Sequence, residues 1–175
     1  SYSEVLVGGK LYCLPQNMTE ASSKFVAIRK DLADKYDIGE MKTWDEYTNY
    51  LTTIAEKETP ESGIYAYAAS GDNKELWDVY YSKYSYWTLV QDDFLQYKYM
   101  FDGTNAPKPE DIEFVYTGEI FRNFCTEMKK LADAGCWSRG ALTNTTTDDE
   151  SFGALQGAST AWNSSVFTYI KQAEE

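Results

Sequence analysis

Apolar positions along this chain follow two spacings, and each spacing predicts one kind of secondary structure. Short apolar or alternating runs that stop at proline, glycine or polar residues predict strands. These runs occupy residues 10–14, 24–28, 63–69, 94–101 and 158–163. Apolar residues three and four positions apart predict helices. These stretches occupy residues 29–36, 43–58, 74–83, 118–134, 148–156 and 166–173, while residues 84–89 fit a helix or a strand equally well. Strands that alternate with helices predict an α/β fold.

Two of the predicted helices have ends that the sequence marks. Thr43 and Glu46 have the spacing of a capping box, in which each side chain accepts a hydrogen bond from the backbone N–H of the other residue. The apolar face that follows comprises Trp44, Tyr47, Leu51, Ile54 and Ala55. Gly135 is placed to end a second helix. Its apolar stripe comprises Phe121, Phe124, Cys125, Met128, Leu131 and Ala132.

The composition narrows the kinds of function. The chain has 175 residues, enough for one domain with its own core, and a formal net charge of −12. This negative charge makes binding to nucleic acid or anionic lipid unfavourable. Histidine, the most common general base and a frequent metal ligand, does not occur. The cysteines, Cys13, Cys125 and Cys136, lack the paired spacing of a zinc or redox site. We therefore expect idle or buried thiols, no metal and no cofactor.

Abundant aromatic residues leave more than one class of function open. Tyrosine, phenylalanine and tryptophan make up 16% of the chain. Most such rings fill cores, but clefts that bind sugars also use flat aromatic faces. A free-standing carbohydrate-binding module would share this composition. A glycoside hydrolase fragment would need two carboxylates in defined roles, and none of the 28 acidic residues has a spacing that singles out such a pair. We therefore expect a binding protein and not an enzyme.

Five short motifs carry a family resemblance. They are GKLYCLP (residues 9–15), IRKDL (28–32), KTWDEY (42–47), MKKLADAG (128–135) and a run from Phe152 through GASTAW (157–162). In this order they resemble the extracellular solute-binding proteins of bacterial ABC importers, in the sugar-type family 1. Cys136-Trp137 and the Thr/Asn-rich loop after Ala141 further resemble a lipoprotein subgroup of Gram-positive bacteria. Trp162 departs from the family, which commonly has a small or aliphatic residue there.

The resemblance implies a fold. Residues 1–175 would form a single lobe, the second of a two-lobed protein with a periplasmic-binding-protein-like (type II) fold. This lobe would contain a central mixed, mainly parallel sheet flanked by helices. Residues 9–15 and 157–163 would be strands that cross between the lobes. We therefore expect the strands that contain Leu11 and Ala161 to lie in one sheet.

The resemblance also implies function, partners and location. The protein would capture a small-molecule solute, by default an oligosaccharide or other sugar, in the cleft between its lobes. Its partners would be the first lobe of the same protein and the transmembrane permease subunits of the importer. The full-length protein would be lipid-anchored at the extracellular face of the cell membrane, through an anchor outside this chain. Nucleic acid is not an expected partner.

Candidate ligand-binding residues follow the predicted strands, because the carboxyl ends of parallel strands share one edge of a sheet. Amides and carboxylates suit sugar hydroxyls, which both donate and accept hydrogen bonds. A tryptophan one turn into the next helix is placed to stack on a sugar face. We therefore expect ligand contacts from Gln16, Asn17, Glu20, Asp72, Asn73, Lys74, Trp77, Trp162, Asn163 and Phe167. The alternatives are a solvated loop for residues 16–20 and core positions for Trp77 and Phe167.

Three other features are predicted to have structural roles and not to bind ligand. Trp137 follows a helix end and is expected in the core or on the lobe surface. Arg139 is expected in a surface salt bridge more than on a ligand carboxylate. The run that begins at Asp102 lacks the acidic spacing and closing glutamate of a calcium loop, so it predicts a β-turn.

Overall fold

The structure of the protein is a computed structural model, and it describes residues 6–12, 25–69, 75–81, 83–84, 86–91, 96–100, 108–146 and 148–162. Helices and strands are mixed along the chain, which confirms the α/β prediction in this coarse sense. The strands are β1 (Leu6–Val7), β2 (Lys10–Leu11), β3 (Phe25–Ile28), β4 (Tyr86–Gln91), β5 (Gln96–Met100), β6 (Ile112–Phe114) and β7 (Ser159–Trp162). The helices are α1 (Lys30–Lys35), α2 (Trp44–Lys57), α3 (Thr59–Ser62), α4 (Glu75–Tyr81), α5 (Glu119–Asp133) and α6 (Asp148–Gly153).

The described strands pair in an antiparallel sense. β1 pairs with β2, β3 pairs with β7, and β4, β5 and β6 form a three-stranded sheet. In the described part of the chain, one parallel bridge joins Tyr65 to Gly157. The predicted mainly parallel central sheet is therefore not what these residues form. Strand direction is not encoded in the alternation of side chains, which is the same in parallel and antiparallel pairs.

Two further strand predictions are corrected. The strands that contain Leu11 and Ala161 lie in different sheets, so the expectation that they share one is wrong. Leu11 sits in a short hairpin with β1, in which Gly8 and Gly9 both have positive φ and turn the chain back. Residues 63–69, predicted as a buried strand, form only the bridge at Tyr65, although Ala66, Tyr67 and Ala68 are buried as expected.

Helix α2 forms as its sequence predicts. The Glu46 N–H donates to Thr43 Oγ1 at 3.2 Å and the Thr43 N–H donates to Glu46 Oε2 at 2.9 Å, which completes the capping box. All five residues of the predicted apolar face are buried, and Tyr50 joins them. This face supplies much of the core, because Tyr50, Leu51 and Ile54 have no exposed surface.

Helix α5 also forms, but it is buried less completely. Gly135 ends the helix with φ +78°, as predicted. In its apolar stripe only Leu131 is fully buried, while Phe121, Phe124 and Met128 are half-buried and pack against the core. Cys125 is exposed. The two long helices therefore differ in how much apolar surface they leave accessible.

The end of α6 differs from the prediction. The helix ends at Gly153, and the chain then turns at Leu155, whose φ is +59°. Gly157, predicted to terminate this helix, instead allows a close approach of two backbones: a Cβ at Gly157 would lie 2.5 Å from Ala68 Cβ. The requirement for glycine at residue 157 is therefore steric, and it comes from the neighbouring segment at residues 65–69.

Candidate functional site

Three segments of the chain reach the same end of the β3–β7 pair. Phe25, the first residue of β3, is the register partner of Trp162, the last residue of β7. The segment at residues 65–69 runs alongside β7 in the same direction, because the Ala158 N–H donates to Tyr65 O at 2.8 Å and the Ala68 N–H donates to Ser159 O at 2.9 Å. Phe25, Ala69 and Trp162 therefore lie toward one edge, which we call the ligand edge.

Several of the predicted site residues are close in sequence to the ligand edge. Eight of the ten lie outside the described residues, namely Gln16, Asn17, Glu20, Asp72, Asn73, Lys74, Asn163 and Phe167. Asn163 directly follows Trp162, and Asp72 is three residues beyond Ala69. The segment that contains Gln16 and Asn17 leads into Phe25. Their proposed convergence thus rests on where the described strands begin and end.

Trp77 is the predicted site residue whose side chain is described. It lies on α4, which packs against β7. Its ring centroid is 4.0 Å from that of Tyr81, 4.8 Å from Phe124, 5.0 Å from Phe121 and 6.3 Å from Tyr116. We call these five residues the aromatic cluster. Trp77 is half-buried as a residue and packs against the core.

Two tyrosines of α2 hold β7 from its buried face. The Tyr50 hydroxyl donates to Ala158 O at 2.8 Å, and the hydroxyls of Tyr47 and Ser159 are hydrogen-bonded at 2.5 Å. We call these four residues the tyrosine clamp. Burial raises the pKa of both phenols. Sequence reasoning missed the clamp, although tyrosines three apart on an apolar helix face signal that buried hydroxyls need partners.

Arg29 lies at the opposite end of β3 from the ligand edge. Its guanidinium binds both oxygens of Asp31, at 3.0 and 2.5 Å, and Nη1 donates to Leu155 O at 3.4 Å. The hydrogen bonds from Arg29 lower the pKa of the Asp31 carboxyl. Arg29 therefore connects the start of α1 to the turn after α6, and its pairing with Asp31 has a structural role.

A second charged network joins α1 to the end of α2. Lys35 Nζ and the Tyr36 hydroxyl donate to Glu58 Oε2 at 2.6 and 2.7 Å, and Glu58 is only 5% exposed. These hydrogen bonds lower the pKa of Glu58 to about 2, and the bond from Lys35 has the largest effect. The same contact raises the pKa of Lys35 to about 12. A carboxylate held in its charged form in this way is suited to holding structure and not to transferring protons.

The loop after α5 touches the ligand edge. Asn144 Nδ2 donates to Ala69 O at 3.3 Å, although the two residues are 75 positions apart.

Trp137 is half-buried and packs against the core, which agrees with its structural assignment. Arg139 is exposed, and the predicted turn at Asp102 lies outside the described residues.

The remaining candidate chemistry is sparse in the described part of the chain. Cys136 is buried, and burial raises the pKa of its thiol to about 12. Among the described residues no group of three or more Cys, Asp or Glu is placed to hold a metal ion. Nor does any described helix have the length and apolar character to cross a membrane.

Comparison with known proteins gives no assignment. No protein-family model matches the chain, and neither a curated protein nor a solved structure matches it.

Proposed function

We propose that this chain is the second lobe of a two-lobed, sugar-binding solute-binding protein of a bacterial ABC importer. The observation that carries the proposal is the ligand edge. Phe25, Ala69 and Trp162 bring three separate parts of the chain toward one end of the β3–β7 pair. Polar residues adjoin these positions in sequence, and a ligand cleft needs a few polar groups that converge from different segments.

The chemistry beside the ligand edge suits a polyhydroxylated ligand. Asn17, Asp72 and Asn73 offer amide and carboxylate groups that pair with hydroxyls. Four residues of the aromatic cluster lie on α4 and α5, Tyr116 lies just before α5, and α4 packs against β7. Trp77 is half-buried, and in this proposal its exposed part contacts an apolar sugar face. No catalytic group is part of the proposal: the protein captures its ligand and releases it unchanged.

The partners follow from this role. The first lobe would close the cleft over the ligand by a hinge motion, and the permease subunits would receive the closed protein. The full-length protein would be lipid-anchored at the extracellular face of the cell membrane. In this arrangement residues 9–15 and 157–163 connect the lobes, and the lobe belongs to the periplasmic-binding-protein-like type II class. The antiparallel pairing of β3 with β7 makes Phe25 the register partner of Trp162, so the chain enters β3 at the end where it leaves β7.

Calorimetry tests the proposal by comparing this chain with the intact protein. Maltotriose, cellotriose and xylotriose are titrated into each. We expect at least one of them to bind the intact protein and to bind this chain weakly or not at all, because a cleft ligand is only partly buried by one lobe.

Two results would oppose the proposal. Micromolar or tighter binding of a sugar to this chain alone would favour a free-standing carbohydrate-binding module. Hydrolysis of a sugar during the titration, detected as new reducing ends, would favour a carboxylate-dependent glycoside hydrolase fragment.

A further inference from the structure

Hydrogen bonds within the loop at residues 138–146 determine much of its shape. The Gly140 N–H donates to Ser138 Oγ at 3.0 Å, and the Thr143 hydroxyl donates to Gly140 O at 3.0 Å. The Thr146 N–H donates to Asn144 Oδ1 at 3.1 Å. Ala141 is buried and anchors the loop, whereas residues 142–146 are exposed. A loop ordered in this way can hold a neighbouring segment in place.

That neighbouring segment is residues 65–69, which the loop region contacts at two points. The Tyr67 N–H donates to Cys136 O at 2.9 Å, just before the loop, and Asn144 Nδ2 donates to Ala69 O at 3.3 Å, near its far end. The stretch from Cys136 to Asn144 therefore runs beside the segment up to the ligand edge. Ala69 is the last described residue before that edge.

We infer that Asn144 is a positioning residue that fixes the end of segment 65–69 and so aligns the ligand edge. Its amide has two separate roles, since Oδ1 shapes the loop and Nδ2 reaches Ala69 O. The positioning role rests on these contacts, whereas its consequence for a polyhydroxylated ligand at the ligand edge rests on the proposed function.

Hydrogen–deuterium exchange of the full chain tests the inference with two variants that separate the two roles. Asn144→Asp retains an acceptor for the Thr146 N–H but cannot donate to Ala69 O, and Asn144→Ala loses both contacts. Thr145→Ala is the matched control in the same loop. We expect both Asn144 variants to speed exchange of the Ala68 and Ala69 amides by about two- to fivefold, the factor that corresponds to one modest hydrogen bond. In both variants, the exchange of the α2 amides and the melting temperature should stay as in the wild type. Thr145→Ala should leave these two quantities and the exchange of Ala68 and Ala69 unchanged.

Every other outcome overturns the inference. Faster exchange in Asn144→Ala alone would mean that the shape of the loop matters and the bond to Ala69 does not. Unchanged exchange in both variants would mean that Asn144 holds nothing. Faster exchange in α2 as well, with a lower melting temperature, would make Asn144 a general stabilising residue. A sugar-binding experiment that failed would leave each of these readouts intact, so the positioning role and the proposed function fail separately.

Discussion

The tyrosine clamp and the aromatic cluster are both rich in rings, but they use them differently. In the clamp, Tyr47 and Tyr50 are buried, and their hydroxyls bind Ser159 Oγ on β7 and Ala158 O just before it. In the cluster, Trp77 and its neighbours meet ring against ring, with centroids 4.0 to 6.3 Å apart, and Trp77, Phe121 and Phe124 remain half-buried.

Positions in the tyrosine clamp stabilise the fold, whereas half-buried positions in the aromatic cluster keep some accessible surface. A buried hydroxyl bound to backbone fixes both the packing and the position of a strand, so it tolerates little change. A half-buried aromatic residue packs against its neighbours and keeps part of its surface accessible. Among the described residues the aromatic rings therefore have two roles, and of these two groups the cluster is the candidate for ligand contact.

Replacing Tyr50 should have the largest effect. Tyr50→Ala removes a ring with no exposed surface from the face of α2, so we expect the free energy of unfolding to fall by about 3–5 kcal/mol. Tyr50→Phe keeps the ring and removes the bond to Ala158 O, and should cost about 0.5–1.5 kcal/mol. Urea unfolding measures both. A loss below about 1 kcal/mol for Tyr50→Ala would remove the contrast between the clamp and the cluster.

Adding a methyl group at Gly157, where two backbone segments meet, should have the next largest effect on stability. Gly157→Ala places a Cβ 2.5 Å from Ala68 Cβ and 3.1 Å from its backbone atoms, which cannot move away easily. We expect a loss of about 1–3 kcal/mol from overpacking. Gly39→Ala is the control, because a Cβ there meets nothing within 4 Å. Equal melting temperatures for the two variants would show that segment 65–69 does not approach residue 157 this closely.

Replacing Trp77 should cost less stability than replacing Tyr50, since its ring is only half-buried. We expect Trp77→Ala to lower the free energy of unfolding by about 1–2 kcal/mol, part of the value of a fully buried apolar side chain. If Trp77 also stacks on the ligand, the intact protein should lose about 1–3 kcal/mol of binding free energy. A stability loss as large as that of Tyr50→Ala would assign Trp77 to the core, and unchanged stability would deny its ring contacts.

Acid should weaken the α1–α2 junction through Glu58, an effect confined to low pH. The folded-state pKa of Glu58, about 2, lies below its usual value of 4.5. The group therefore contributes stability above about pH 4.5, and this contribution is lost as the pH falls towards 2. Glu58→Gln should be less stable than the wild type at pH 7, and its stability should fall less between pH 5 and pH 2. Urea midpoints at several pH values test this, and parallel curves for both proteins would contradict it.

Local patterns predicted some elements well and could not predict others. The capping box of Thr43 and Glu46 and the end of α5 at Gly135 depend on residues within one turn of each other, so the sequence was enough. The pairing of Phe25 with Trp162 joins residues far apart, and alternation does not reveal its direction. The steric need for Gly157 likewise comes from Ala68, a neighbour in space alone.

For the candidate site, sequence reasoning predicted residue types more readily than positions. It selected Trp77 as a stacking ring, but its packing with Phe121 and Phe124 depends on how α4 and α5 meet. It left Asn144 out, because the bond to Ala69 O spans 75 positions and has no local pattern. Side-chain chemistry is readable along the chain, whereas contact between distant elements has to be seen in the fold.

The affinity of the intact protein for its sugar, measured in variants at the two ends of segment 65–69, tests the ligand edge most directly. Asp72→Ala combined with Asn73→Ala changes the end at Ala69, while Glu61→Ala changes an exposed residue before the other end. With a bound trisaccharide from the calorimetric panel, the double variant should weaken binding by about tenfold or more, the scale of a lost hydrogen bond to a charged group. Glu61→Ala should bind like the wild type. Undiminished binding by the double variant, with weaker binding by Glu61→Ala, would place the ligand at the opposite end and contradict the proposal.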